Sequence, residues 1–283
     1  MYARVYVEIT NICNRSCSFC PGTSRPPRRM SLAEFDTITD RLRGVTEYIY
    51  YHVMGEPLTH PELPDFIRMA HRKGFKSAIT TNGTLLPSRG RALIEAGVYK
   101  VNISVHSFED RENDEAHGRY LDGLLNFADE ASQSGVLTVL RLWNLDDRGQ
   151  ALGGSNDRTL DYLRARFPDS PETPWRFSPR GARMRHKLHL EYGDRFEWPD
   201  MEASDRGNGV FCYGLKDHFA ILCDGRVVPC CLDREGVMAL GNMFDTPAEG
   251  ILSSPRAVAI REGFQRRCAT EELCRRCGYA RRF

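Results

Sequence analysis

No stretch of this 283-residue chain approaches the roughly 18 consecutive apolar residues of a membrane-spanning helix, and the first residues carry no signal-type apolar core. The reading is therefore a cytoplasmic protein with no helical membrane span. Net charge is almost absent, with 39 Lys and Arg against 38 Asp and Glu. Near-neutrality argues against a globally polyanionic partner, so nucleic acid is not expected. The basic runs Arg25–Arg29, Arg180–Arg185 and Arg281-Arg282 read as solvated surface. There is no internal repeat and no low-complexity tract, which leaves no case for a repeat array. Cysteine is missing from the whole middle of the chain, between Cys20 and Cys212. Its ten copies fall into three near the N-terminus and seven after residue 211. In a cytoplasmic chain such cysteines point to metal or redox chemistry rather than disulfides. The gap between the groups suggests two separate metal sites.

What is present looks like an ordinary globular protein, 41% hydrophobic and 27% charged, long enough for one large domain or two smaller ones. A strand before Cys13 (Val5 to Ile9) is followed by a Pro/Arg-rich connection and then Ser31 with Glu34, a capping box opening a helix to about Leu42. Strands are predicted over 46–54, 75–81, 99–106 and 136–143, with helices over 64–73, 88–96, 119–133 and 157–166. Alternating strands and helices imply βα units and a parallel sheet. The reading is an α/β fold, a partial (β/α)6 TIM-like barrel with functional loops at the C-terminal strand ends. Prolines 168, 171, 174 and 179 then break the pattern, with one further short strand at 175–177. Around Asp224-Gly225 the sequence reads as a hairpin, and helices follow over 247–252 and 255–265. The division is a barrel over 1–167, a bridge over 168–209 and a C-terminal cysteine domain over 210–283.

The motif that carries chemistry is Cys13-Asn14-Arg15-Ser16-Cys17-Ser18-Phe19-Cys20. Three thiols are one too few for a four-thiolate iron–sulfur cluster, so one iron is left open to a small molecule. A zinc knuckle or buried core thiols are the plainer alternatives. The spacing, with Phe19 before the third cysteine, resembles the signature of the radical S-adenosylmethionine (SAM) superfamily. That resemblance implies a SAM-binding [4Fe–4S] cluster on Cys13, Cys17 and Cys20. It also implies reductive cleavage of SAM to a 5′-deoxyadenosyl radical, fed by a flavodoxin- or ferredoxin-type reductant. Gly55-Glu56 stands where the family has a Gly-Gly-Glu contact to the SAM amino group, with Met54 in place of the first glycine. Asn102, Ser104 and His106 alternate on one face of their strand, and the resemblance assigns Ser104 and His106 to the SAM ribose or carboxylate. Arg141, in a mostly apolar strand, needs an anionic partner, either the SAM carboxylate or a structural acid. Asn82 in Thr-Asn-Gly-Thr is a further cofactor-side candidate, although Asn-Gly favours tight turns by itself. His52 shares parity with Tyr50 and Met54 and is the candidate on the substrate side.

In the C-terminal part, Cys212, Gly225 with Cys230, Leu240-Gly241-Asn242 and Cys274-Arg275-Arg276-Cys277 resemble the SPASM auxiliary-cluster domain, or its shortened twitch form. The resemblance implies a second [4Fe–4S] cluster on Cys212, Cys230, Cys274 and Cys277, with Cys268 as a substitute ligand and Cys223 and Cys231 spare. A structural zinc site is the alternative. The layout is closest to the twitch-bearing dehydrogenases of the 2-deoxy-scyllo-inosamine type. The expected function is hydrogen abstraction from a small molecule such as a sugar or cyclitol, with the auxiliary cluster accepting or relaying an electron. Peptide maturation or epimerisation is the nearest alternative, although Cys13 arrives with no leader-binding domain before it. A non-catalytic iron–sulfur or zinc-binding interaction protein is the alternative from another class.

Overall fold

In chain order the elements are β1 (Arg4–Val7), α1 (Leu32–Arg41), β2 (Tyr48–Tyr50), α2 (Leu63–Arg72), β3 (Lys76–Thr81), α3 (Leu86–Glu95), β4 (Lys100–Ser104), α4 (Asp114–Gln133), β5 (Leu137–Leu145) and α5 (Asp157–Arg166). There follow β6 (Arg176–Ser178), β7 (Gly181–Arg185), β8 (Leu188–Asp194), β9 (His218–Ile221), β10 (Arg226–Val228), β11 (Gly241–Asn242), α6 (Ala248–Leu252), α7 (Pro255–Gln265) and α8 (Glu272–Arg275). This computed structural model describes residues 1–109, 114–146 and 156–282. They form two compact units, Met1–Ser77 with Phe196–Phe283, and Ala78–Arg195.

In the first unit β1 lies parallel to β2 on one side and to β9 on the other, with Val5 opposite both Ile49 and Phe219. The antiparallel hairpin β9–β10 and then β11 extend the sheet outward. A strand more than two hundred residues away in sequence thus completes the flank of β1. Alternation sends Val5, Val7 and Ile9 to the fully buried face. On the helical layer of this unit, Phe35 of α1 packs on Phe66 of α2 at 4.7 Å between rings and on Tyr51 at 5.7 Å. The opposite parity, Arg4, Tyr6 and Glu8, carries the chemistry described below. The capping box at Ser31 forms as expected: its Oγ accepts the Glu34 N–H, and the Glu34 carboxylate accepts the Ser31 N–H.

In the second unit β3, β4, β5 and β8 run parallel in that order, and β7 and β6 add an antiparallel edge. Leu121, Leu124, Leu125, Ala128 and Ala131 form the buried stripe of α4, the spacing of one helical face. The protein is thus an α/β fold built on parallel-rich, open sheets. Three elements differ from the sequence reading. The strand expected over 46–54 shrinks to three residues, because Tyr51 onward turns toward the Gly55 loop. The strand expected through His106 stops at Ser104, and Val105–Ser107 form a 3-10 turn. The stretch read as a bridge contains the β6–β7–β8 meander, which proline spacing concealed. Among the described residues, no helix is long and apolar enough to cross a membrane.

Candidate active site

The three-cysteine loop leaves the end of β1 and is closed at its base by a short zip. Met30 N–H donates to Ile9 O at 2.8 Å, Thr10 Oγ1 to Arg28 O at 3.0 Å and Asn11 Nδ2 to Pro26 O at 2.9 Å. Arg28 N–H returns a bond to Asn11 Oδ1 at 2.7 Å. Within the loop Cys20 N–H donates to Cys17 O at 3.0 Å. Cys13 and Cys20 are exposed, while Cys17 and Phe19 are half-buried. Desolvation raises the Cys13 thiol pKa, and the nearby Glu56 carboxylate and Cys20 thiol push it in the same direction. Glu56 and two of the loop thiols therefore share one neighbourhood.

Gly55 is dictated by two constraints. Its φ is +77°, and a Cβ there would lie 2.5 Å from Thr10 O and 2.9 Å from Asn11 Cα. That close approach lets Glu56 N–H donate to Ile12 O at 2.9 Å, with Thr59 Oγ1 adding a bond to the same oxygen at 3.2 Å. The Gly-Glu-Pro turn is thus stitched to the residue before Cys13. Glu56 is buried, and its Oε1 accepts Leu58 N–H at 3.0 Å, capping the 3-10 turn Pro57–Thr59. Met54 faces a buried apolar group with Val53, Ala220, Leu222 and Val228. The departure from a first glycine has a packing cause. His52 lies half-buried with its ring edge-on to Tyr6 at 5.2 Å, and Tyr6 also meets the rings of Tyr50 and His218.

The second unit holds Asn82, Ser104 and His106 at or just beyond the C-terminal ends of β3 and β4, and Arg141 in the middle of β5. Asn82 Oδ1 accepts Thr84 N–H at 3.0 Å and Thr84 Oγ1 at 2.7 Å, a local turn bond. Ser104 pairs in register with Arg141. The Arg141 guanidinium lies 4.4 Å from the Trp143 ring centroid and 3.9 Å from the Glu191 carboxylate, which also accepts Trp143 Nε1. A structural acid is therefore present beside Arg141. The His106 ring sits between Arg141 O and Trp143 N–H, at 3.1 and 3.3 Å, and anchors the turn to β5.

In the first unit, Cys212, Cys230, Cys274 and Cys277 come together. Desolvation raises the Cys230 thiol pKa well above its ordinary value, and Cys212, Cys231, Cys274 and Cys277 all add to the effect. Gly214 backs the group, since a Cβ there would meet Pro229 O at 3.2 Å, Cys230 Cβ at 3.7 Å and Cys212 Sγ at 3.8 Å. Met238 Sδ lies 3.6 Å from Cys274 Sγ, and fully buried Asp233 fixes the Met238 loop by accepting the N–H groups of Val237 and Met238. Of the other thiols, Cys231 adjoins this group, while Cys268 and Cys223 lie in other surroundings. Cys268 accepts Asn208 Nδ2 at 3.5 Å. Cys231 meets the Tyr6 hydroxyl, and burial pushes its pKa up to about 11. Cys223 is buried just beyond β9 with its pKa pushed up to about 12, by desolvation first and then by Glu8.

Sequence reasoning missed Glu8 and Arg25. Glu8 is fully buried, and its carboxylate takes both Arg25 Nη atoms at 2.6 and 2.7 Å. A glutamate at a polar-parity strand position was visible in the sequence. Its partner, seventeen residues on in an irregular loop, was not.

The comparisons with known proteins agree with this arrangement. Residues 7–148 match the Radical SAM superfamily, and residues 212–278 match the SPASM iron–sulfur cluster-binding domain. The chain belongs to the radical SAM superfamily and carries a SPASM-type C-terminal domain. It is 33% identical over 174 residues to a GTP 3′,8-cyclase of Alkaliphilus oremlandii, covering 58% of this chain and 52% of the cyclase. It is also 33% identical over 125 residues to a Pyrococcus furiosus tungsten-containing aldehyde ferredoxin oxidoreductase cofactor-modifying protein, covering 42% and 35% of the two chains. The chain thus spans about half or less of these curated relatives. Among solved structures, BtrN in complex with AdoMet and 2-DOIA superposes with a TM-score of 0.60 at 18% identity, over 98% of this chain and 93% of BtrN. Native anSMEcpe with AdoMet and the Kp18Cys peptide gives 0.58 at 13%, over 98% and 88%. At such identities these likenesses establish the fold.

The cofactors of this family are SAM and [4Fe–4S] clusters, and the residues present fit them. A single zinc ion bound at about 2.3 Å draws its sulfurs to within about 4 Å of one another. Among the described residues, no group of three or more His, Cys, Asp or Glu side chains is placed to hold a single metal ion. Cys212 and Cys277 each act on both Cys230 and Cys274, so the four thiols lie in one neighbourhood, a donor set of the kind that holds an iron–sulfur cluster.

Proposed function

We propose that this enzyme oxidises a small polar molecule, such as a sugar or cyclitol, with its auxiliary cluster as the electron acceptor. The observation that carries the reading is the contrast between two thiol sets. Cys13, Cys17 and Cys20 are exposed or half-buried with Glu56 near Cys13, and half-buried Cys212, Cys230, Cys274 and Cys277 lie in one neighbourhood, which supports one incomplete and one complete ligand shell. When bound, the open-site cluster and SAM supply a 5′-deoxyadenosyl radical that takes a hydrogen atom from substrate.

The chain's own residues then have distinct tasks. Cys13, Cys17 and Cys20 hold the open cluster, with Phe19 beside the third thiolate. Gly55 and Glu56 present backbone and carboxylate to the SAM ammonium, and Ser104, His106, Asn82 and Arg141 are the polar set for its ribose and carboxylate. His52 is the candidate group for the substrate's hydroxyl proton. Cys212, Cys230, Cys274 and Cys277 hold the closed cluster, leaving Cys268 outside the shell. Oxidation of an alcohol releases a hydrogen atom, a proton and one electron: the radical chemistry would take the first, His52 would take the second, and a cluster held by Cys212, Cys230, Cys274 and Cys277 would accept the third. The functional division follows the barrel over 1–167, the bridge over 168–209 and the auxiliary domain over 210–283. Resemblance to the cyclases supports shared radical initiation and leaves the substrate open.

The test is anaerobic reconstitution with dithionite and SAM. The expected product is 5′-deoxyadenosine, abolished in Cys17→Ala. Cys277→Ala is expected to retain SAM cleavage and lose substrate turnover. A Cys277→Ala enzyme that turns over substrate normally would remove the electron-acceptor role.

A further inference from the structure

We propose that the buried Glu8–Arg25 pair is a positioning device by which the auxiliary part of the first unit sets the geometry of the three-cysteine loop. The Glu8 carboxylate is saturated. Oε1 accepts Arg25 Nη2 at 2.6 Å and Met54 N–H at 3.0 Å, while Oε2 accepts Arg25 Nη1 at 2.7 Å and Cys223 N–H at 3.0 Å. Their side chains are 0% and 7% exposed. From the other side of the pair, Arg25 Nε donates to Arg234 O at 2.7 Å and to Thr23 Oγ1 at 3.2 Å.

One ion pair therefore joins five stretches of the chain. Glu8 belongs to the strand end that leads into Cys13, and Arg25 to the chain leaving Cys20. Met54 opens the Gly55-Glu56 turn, which itself is bonded to Ile12. Cys223 lies two residues beyond β9, and Arg234 follows Cys230 and Cys231 by a few residues. Neighbouring bonds reinforce the same junction. Ser24 donates from N–H and Oγ to Glu235 at 3.0 and 2.8 Å, and Arg28 Nε donates to Cys223 O at 2.7 Å.

Stability alone gives little reason for such a pair. Dehydrating two charges costs several kcal/mol per ion, and apolar replacements of buried pairs are often neutral or stabilising. Geometry gives a better reason. A guanidinium–carboxylate fork fixes both distance and plane, and here it fixes the exit of the cysteine loop and the start of the Gly-Glu turn against the same hairpin. This inference rests on the SAM-binding role of that loop and not on the electron-acceptor reading of the auxiliary cluster.

The test uses anaerobically reconstituted full-length Arg25→Lys and Glu8→Gln/Arg25→Gln. The first keeps the charge and loses the fork, and the second leaves no buried charge unpaired. Readouts are iron content, the change SAM causes in the EPR spectrum of the reduced enzyme, and SAM affinity. Both variants are expected to retain full iron. SAM affinity should fall on the order of 10- to 100-fold, as for other residues that orient metal ligands, and the SAM-induced EPR change should shrink. Full iron with wild-type affinity and EPR response in either variant overturns the proposal. Loss of iron from both variants also overturns it, because the pair would then serve folding alone. A wild-type enzyme with no SAM response would instead indict the assigned role of the cysteine loop, and Cys17→Ala provides that baseline.

Discussion

Met54 and Gly55 show how neighbouring residues can answer to different demands. Met54 fills an apolar group formed with β9 and β10 residues, whereas Gly55 has no room for a Cβ and a left-handed backbone. Gly55→Ala should therefore displace the turn from Ile12, at a strain cost of about 1–3 kcal/mol. Iron analysis is expected to show loss of the N-terminal complement with the auxiliary complement kept; full iron would show that the turn tolerates the methyl group. His218 supports a prediction about pH. Burial, then the Arg4 charge, lowers its pKa to about 4. The folded state thus holds it neutral while the unfolded chain begins to protonate near pH 6.5. Stability from this residue is present above about pH 6.5 and is lost as pH falls toward 4, by at most about 3 kcal/mol. Unfolding curves of His218→Gln should show a shallower decline over that window than the unsubstituted protein. Parallel curves would mean that the imidazole titrates normally.

Among the elements, local signals performed best where they were chemically complete. The capping box placed the start of α1 correctly because both halves of the motif lie within four residues. Ser31→Ala is expected to cost about 1 kcal/mol and to leave iron content and SAM cleavage unchanged. A loss of SAM cleavage would mean that α1 positions the loop zip as well as itself. Strand ends were harder to read. Alternation through His106 looked continuous, yet His106 belongs to a 3-10 turn and bonds the β5 backbone. Period-2 patterning cannot see that a partner strand has stopped pairing. β7 and β8 were hidden for a similar reason, since β8 is set by its pairing with β5 and β7 by its pairing with β8, and not by their own propensity.

For the whole molecule, the C-terminal stretch has few regular elements. β9, β10 and β11 are four, three and two residues long, α6 and α8 have five and four, and α7 alone reaches eleven. A stretch with so little regular structure is expected to draw stability from the cluster it binds. Removing iron with a chelator under reducing conditions should lower the unfolding temperature. Limited proteolysis of the stripped protein should then cut first within 196–283. First cuts within Ala78–Arg195 would show that the cluster does not stabilise this stretch.

By itself the sequence determined the chemistry. The spacings of Cys13, Cys17 and Cys20, and of Cys274 and Cys277, are local facts, and thiolate chemistry depends on which ligands are present. The βα order was legible because hydrophobic periodicity is also local. Tertiary structure decided the grouping. It brought Cys212 and Cys230 to Cys274 and Cys277, set Glu191 beside Arg141, and joined Glu8 to Arg25, Met54 and Cys223. Those partners are separated by up to 215 residues, and only folding at native density puts such groups within hydrogen-bond reach.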